Sequence, residues 1–329
     1  MAGALSATVY QWLLPLTGTL PGCPQGERQG LLLWLERDGK KGLGDCAPLP
    51  GFSVETREQA AHSLVECAQW LVMQPDIERI QEVGLLEVIG KQPIPSSVVF
   101  AVEAAVKQLL SDTPAGRSMI PVCRLLAGSH DDIVQAAEEL DSETRLVKIK
   151  VARQSVVDEI KLIQRLDSVL PERVKIRLDG NRGWNLKDAL IFSRAIPHQR
   201  IRFIEEPLTD AEELPAYAAS GGLPVALDES LQGTQTLPDY FTGLAALVVK
   251  PTLSGGVHRC QQLADFAHKH NLELVISSSY ESPVGIGTLT RLALQLAPHT
   301  ASGLDTLSIF QENRIPREQL HALWSSDQP

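Results

Sequence analysis

The sequence predicts an α/β protein: a (β/α)7β TIM-like barrel preceded by an α+β capping domain. Three observations predict it. From about residue 120 onward eight short apolar runs alternate with helical stretches, and eight strands close a barrel. The runs are continuously apolar, which suits strands covered on both faces. Charged residues recur at the ends of successive runs, 22–29 residues apart, one strand plus one helix each time. An open doubly wound sheet is the competing arrangement, and no Gly-rich strand-to-helix phosphate fingerprint supports it.

Two β-like runs open the chain, at 7–16 and 30–36, the second ending in the turn signal Arg37-Asp38-Gly39. Between them residues 17–26 are too rich in Gly and Pro for regular structure and read as a mobile flap. The irregular loop Pro48-Leu49-Pro50-Gly51-Phe52-Ser53 follows, then a helix over 53–70. Beyond Pro93 and Pro95, Ser96 is placed to cap a helix through Phe100, Ala104 and Leu109. The barrel runs fall at 121–126, 146–151, 174–179, 201–205, 224–228, 246–250, 273–279 and 302–306. The expected division is a capping domain at 1–95 and a barrel domain with the active site at 96–316. A tail at 317–329 is expected to pack back on the cap through Leu320 and Trp324.

The 329 residues, 43% hydrophobic and 21% charged, are those of a globular chain and exclude collagen-like or disordered classes. Thirty basic against forty acidic residues, net −10, argue against a nucleic-acid or anionic-membrane partner, which needs clustered Lys and Arg. No apolar stretch is long enough to span a bilayer, and the first basic residue, Arg28, comes too late for a secretory signal. Five scattered cysteines, at 23, 46, 67, 123 and 260, read as reduced thiols. The expectation is a cytoplasmic protein with a small-molecule substrate and no evident obligate protein partner.

Lys148 and Lys150 flank Ile149 at the end of a run, and a period of two puts both ammonium groups on one face. The next runs end in Asp179, Glu205, Asp228 and Lys250. Strand ends of a (β/α) barrel converge on one mouth, so three carboxylates would meet there with lysines on either side. Singly, each acid is explained as a helix cap and each lysine as a solvated strand end. As a set in a partly dry site, the acids call for a cation, and an all-oxygen set selects Mg²⁺ or Mn²⁺. Lysines facing each other across such a metal imply proton transfer at carbon next to a carboxylate. Like-charge repulsion from Lys148 should lower the pKa of Lys150 toward that of a usable base.

The Lys-x-Lys run, the three acids and Lys250-Pro251 together resemble the muconate-lactonizing subgroup of the enolase superfamily. Within it the chain resembles the o-succinylbenzoate synthases of γ-proteobacterial type, over about residues 30–310. That closer likeness lies in Pro48-Leu49-Pro50-Gly51-Phe52-Ser53, Ser277-Ser278-Ser279-Tyr280-Glu281-Ser282 and Gly303-Leu304-Asp305-Thr306. The resemblance implies a lyase of menaquinone synthesis, dehydrating 2-succinyl-6-hydroxy-2,4-cyclohexadiene-1-carboxylate to 2-succinylbenzoate through a metal-stabilised enolate. It implies that Asp179, Glu205 and Asp228 bind Mg²⁺, with Mn²⁺ a possible substitute. Lys150 would take the ring proton and return it to the departing hydroxyl, and Lys250 would face the enolate; which lysine is formally acid and which base stays open. Lys148, Arg177, Asn181, Ser277, Ser279 and Gly303 would contact substrate or support the residues that do. Glu206, Glu229 and Glu281 read as supporting or capping groups. Asp45 stands where Glu is commoner, and Arg28 reads as an exposed loop cation.

Two alternatives share part of this site. A relative that racemises N-succinylamino acids or epimerises dipeptides needs the same metal and lysines, but the epimerases carry Asp-x-Asp where this chain has Gly303-Leu304-Asp305-Thr306. A binding protein that kept the barrel and lost turnover has no reason to retain both lysines and all three acids.

Overall fold

A computed structural model describes residues 3–20, 22–23, 25–90, 93–111 and 120–327. Strands β1 (Ser6–Pro15), β2 (Glu27–Arg37), β3 (Lys40–Cys46) and β11 (Leu320–Ser325) form an antiparallel sheet in the order β11-β1-β2-β3. The hairpin between β2 and β3 turns at Asp38-Gly39, both with positive φ, as a two-residue turn requires. The helix at the front of the cap is Arg57–Val72, starting four residues later than the sequence suggests. Thr56 fixes that start: its hydroxyl accepts from Gln59 N while the Gln59 side chain accepts from Thr56 N.

The barrel sheet is parallel: β4 (Arg124–Leu126), β5 (Leu146–Lys150), β6 (Lys175–Asp179), β7 (Ile201–Glu205), β8 (Val225–Leu227), β9 (Leu244–Val249) and β10 (Glu273–Ile276), paired in sequence order. The eighth apolar run forms no named strand. It closes the ring through single parallel bridges, Ser277 to Gly303 on one side and Val122 to Ser302 on the other. The (β/α)7β architecture with an N-terminal cap is the one the sequence predicts.

Helix Ser96–Leu110 joins the two halves. Its first turn is preceded by Pro95, and Ser96 is its first residue, so Ser96 is not the cap. Phe100 and Ala104 enter the barrel core, while Val98, Ala101, Val102 and Ala105 enter the core under the antiparallel sheet. Nearly every face of this helix is buried, which explains its apolar character all round. The described part of segment 17–26 is a turn in which Leu20 and Cys23 bridge and lie buried beside Leu49; Pro21 and Pro24 of the expected flap lie outside the described residues. No helix among the described residues is long and apolar enough to cross a membrane, and all five cysteines are buried and unpaired with one another.

Candidate active site

The two-residue period of a strand decides what faces the barrel interior. In β5, Val147 and Ile149 pack outward under the helices, leaving Lys148 and Lys150 inward. In β6, Ile176 and Leu178 pack outward, leaving Arg177 and Asp179; in β7, Ile204 packs outward, leaving Phe203 and Glu205. Parallel register then sets Lys150 beside Asp179 and Asp179 beside Glu205. Asp228 follows β8 directly and Lys250 follows β9.

Asp179, Glu205 and Asp228 are all buried, and each meets an ammonium group. Lys148 Nζ donates to Glu205 Oε2 at 2.5 Å and lies 2.9 Å from Asp179 Oδ2. Lys150 Nζ stands 3.7 Å from Asp179 and donates to Asn181 Oδ1 at 3.0 Å. Asn181 in turn donates to Glu229 Oε1 at 3.1 Å. Lys250 pairs with Asp228 Oδ2, whose other oxygen accepts from Gln232 at 3.1 Å. Glu206, fully buried, accepts from Asp228 N at 3.0 Å and from Ser230 N at 2.8 Å and pairs with Arg182, fixing the turn that presents Asp228.

Burial and charge pull the site's groups apart. Burial raises Glu205 to about 7, with Lys148 opposing and Asp179 and Asp228 adding. Burial would also raise Asp179, yet Lys148, Lys150 and Lys250 together hold it below the usual carboxylate range. For Lys148 burial acts downward, but the three carboxylates outweigh it and hold the ammonium well above its ordinary value. Lys150 goes the other way. Burial lowers it, Asp179 opposes, and Lys148 and Lys250 push it further down. Lys250 is raised, because Asp228 outweighs its burial.

The rest of the cleft wall includes Ser277, Ser279 and Gly303 with Leu49, Phe52 and Tyr280. Ser277 Oγ donates to Gly303 O at 3.3 Å, and a Cβ at Gly303 would stand 2.5 Å from that hydroxyl, so a side chain there would displace it. Ser279 Oγ is buried with no hydrogen-bond partner among the described residues. Arg177 lines the cleft from below, with its guanidinium on Ala301 O at 2.7 Å, on Glu273 and over the Phe203 ring.

The chain is similar to known proteins over nearly its whole length. A family model described as enolase C-terminal domain-like matches residues 132–321, and one described as MenC, N-terminal domain, matches residues 4–107. The chain is 34% identical to the o-succinylbenzoate synthase of Edwardsiella ictaluri over 93% of this chain and 91% of that one. It is 34% identical to the o-succinylbenzoate synthase of Yersinia enterocolitica over 98% and 99%. The chain belongs to the o-succinylbenzoate synthase family. The fold is shared more widely: a dipeptide epimerase from Cytophaga hutchinsonii, complexed with Mg and the dipeptide D-Ala-L-Val, superposes with a TM-score of 0.76 at 16% identity, over 95% of this chain and 89% of that one.

Every site residue singled out from the sequence lies on or beside this cleft. Arg28 is a correction. It belongs to β2, is 1% exposed, and donates to the carbonyls of Ala47, Pro48 and Tyr280, so it is an internal brace and not a loop cation. A signal existed: Arg28, Gly30 and Leu32 share one strand face, and Leu32 is apolar core. Phe52 and Tyr280 were passed over as cleft residues because nothing local marks an aromatic side chain as facing a cavity.

Proposed function

We propose that this chain removes water from 2-succinyl-6-hydroxy-2,4-cyclohexadiene-1-carboxylate to give 2-succinylbenzoate, using Mg²⁺ or Mn²⁺. The observation that carries the reading is the ring of Lys148, Lys150, Asp179, Glu205, Asp228 and Lys250 around one cleft. It occurs in a chain one-third identical, end to end, to o-succinylbenzoate synthases.

The donor set fits a hard divalent cation. Three buried carboxylates are oxygen ligands of the kind Mg²⁺ and Mn²⁺ take, and the Cys123 thiol on the same cleft wall is pushed up to about 11 by burial, so it offers no thiolate at neutral pH. Two of them, Asp179 and Glu205, already converge on the positive charge of Lys148. Among the described residues no three His, Cys, Asp or Glu side chains are gathered round one point, and the lysines face the acids instead. Asp179, Glu205 and Asp228 would hold the ion. When bound, it supplies stabilisation of the negative charge that builds on the substrate carboxylate as the α-proton leaves.

The chain's own residues move the proton. Lys148 is locked between two carboxylates, whereas Lys150 Nζ is turned to Asn181 and free to reach a ring carbon. Lys150 would take the ring proton and deliver it to the departing hydroxyl, so that one C–H and one C–O bond break, water leaves and the ring becomes aromatic. Lys250, kept protonated by Asp228, would face the negative charge from the opposite wall. Ser279 would offer its unpaired hydroxyl, and Ser277, Asn181, Arg177 and Gly303 would shape the pocket for ring and succinyl tail. A capping unit at 1–95 over a barrel unit at 96–316, in a reducing cytoplasm suited to five buried thiols, belongs to the same reading.

The test is ultraviolet turnover of the cyclohexadiene, run beside deuterium exchange of N-succinylamino acids in D₂O. Aromatisation that is lost on EDTA treatment and restored by Mg²⁺ or Mn²⁺ is expected. Exchange without aromatisation would move the function to racemisation, and turnover surviving chelation would remove the acids from a metal role.

A further inference from the structure

A group of buried polar residues takes no part in this chemistry. Asp45, Glu281 and Thr252 lie where the antiparallel sheet meets the barrel mouth, each essentially without solvent contact. Glu281 Oε2 accepts the backbone N–H of Ser279 at 2.6 Å, and its Oε1 accepts the Thr252 hydroxyl at 2.6 Å. Thr252 sits two residues after Lys250, in the short helix Pro251–Ser254. One carboxylate therefore ties the turn that carries Lys250 to the loop that carries Ser279. From the other side Asp45 of β3 accepts the Ser282 N–H and the Trp12 indole N–H, both at 2.8 Å. Gly285 makes room for this: a Cβ there would lie 2.4 Å from Asp45 Oδ2 and 2.5 Å from Glu281 Cβ.

We infer that Glu281 is a positioning residue for the reaction: with Asp45 it clamps segment 279–282, holding Ser279 and Lys250 in fixed relation and tying both to the docked antiparallel sheet. Two buried acids without a directly paired cation are expensive, so their retention asks for a reason. The reason offered by the geometry is that each carboxylate accepts from two donors fixed on different elements. Glutamine can nearly match Glu281. Its Oε1 takes the Ser279 N–H, and its amide donates to Thr252 Oγ1, since a hydroxyl accepts as readily as it donates. Alanine leaves a buried N–H and a buried hydroxyl without partners.

The kinetic part of the test rests on the proposed function; a second readout does not. Glu281→Ala, Glu281→Gln, Thr252→Val and Thr252→Ser are made in the full chain. kcat and KM are measured on the cyclohexadiene with Mg²⁺, and amide hydrogen exchange over 277–282 is followed without substrate. Glu281→Ala is expected to lose about 100-fold in kcat with little change in KM, the scale of a misplaced catalytic group, and to lose protection at Ser279. Glu281→Gln should stay within about 5-fold of wild type and keep that protection, because the Ser279 N–H keeps its acceptor and Thr252 keeps a hydrogen bond to residue 281. Thr252→Val should lose about 10-fold in kcat and Thr252→Ser regain it. A folded Glu281→Ala with wild-type kcat and protection overturns the inference, as does a Glu281→Gln as impaired as the alanine variant. Should Glu281→Ala fail to fold, an unchanged kcat in Thr252→Val overturns it equally. A wild-type chain that leaves the cyclohexadiene intact sinks the proposed function alone, and the exchange measurement still decides the clamp.

Discussion

Lys148 and Lys150 share one strand face and one residue type, yet the first is gripped by Asp179 and Glu205 while the second touches only Asn181 closely. On the proposed mechanism, replacing Lys150 removes the proton carrier and gives up only its looser 3.7 Å ion pair with Asp179, while Lys148 keeps hold of both acids. Lys150→Ala is expected to lower kcat about 1,000-fold, within the range of a general base, while the thermal midpoint stays near wild type. Near-normal turnover would show that another group takes the proton. Asp45 carries a different prediction. Burial, with Glu281 adding, lifts its pKa to about 7, against about 3.9 in an unfolded chain. Between those values the folded protein holds a proton that the unfolded chain has released, so this group's contribution to stability falls as pH rises through the interval. Measured by urea midpoints from about pH 5 to about pH 8, wild type should lose stability relative to the non-titrating Asp45→Asn, and a flat difference would mean that Asp45 is ionised throughout. The lysines and carboxylates of the cleft were legible in the sequence because charges that have ordinary explanations singly recur at the ends of successive strands as a set. What Arg28 and Asp45 hold was not, since their partners come from remote elements: Tyr280 lies 252 residues from Arg28 and Ser282 237 from Asp45.

Among the elements, the seven strands fall inside or within two residues of the apolar runs, because outward side chains such as Val147, Ile149, Ile176 and Leu178 keep the runs apolar even where inward positions are charged. The eighth run, Ser302-Gly303-Leu304-Asp305-Thr306, is only weakly apolar in sequence, and it makes only single bridges to its neighbours. Helix Ser96–Leu110 likewise gave its period away, but not that it belongs to two cores at once. What ties it to the antiparallel sheet is the absence of side chains on β3: a Cβ at Gly44 would stand 1.8 Å from Ala101 O, and one at Gly42 2.1 Å from Ala105 O. Gly44→Ala must push strand and helix apart, and a loss of about 1–3 kcal/mol is expected, in the range of other overpacked sites. A lowered urea midpoint at unchanged slope would confirm it. Gly18→Ala is the control, since nothing lies within 4 Å of its Cβ position. Equal midpoints for the two variants would mean that the close approach is not tight in solution.

At the scale of the whole molecule, the two ends of the chain meet in one sheet. Thr8 pairs with Ser325, Tyr10 with Ala322 and Trp12 with Leu320, with a register shift after Val9. Trp324 packs against the core under the sheet and Leu320 against the small core that holds Trp12. Strand β11 is thus the outer edge that covers β1, and β1 carries the indole that holds Asp45, which in turn holds Ser282 at the barrel mouth. Ending the chain at Pro316 would leave the N–H and C=O groups of β1 unpaired along a fresh edge, which costs stability and invites pairing between molecules. Among the described residues β11 pairs with β1 and with no barrel strand, so barrel pairing should persist. The truncated protein is expected to retain its barrel helicity, to show faster amide exchange in β1 than in β6 or β7, to self-associate with rising concentration and to turn over more slowly. The order of these losses is informative. Exchange in β1 should rise first, protection at Ser282 should fall with it, and kcat should follow the latter. If kcat falls while Ser282 stays protected, the sheet acts on the cleft by another route, and if β1 exchange is unchanged, the terminal strand adds nothing to the cap.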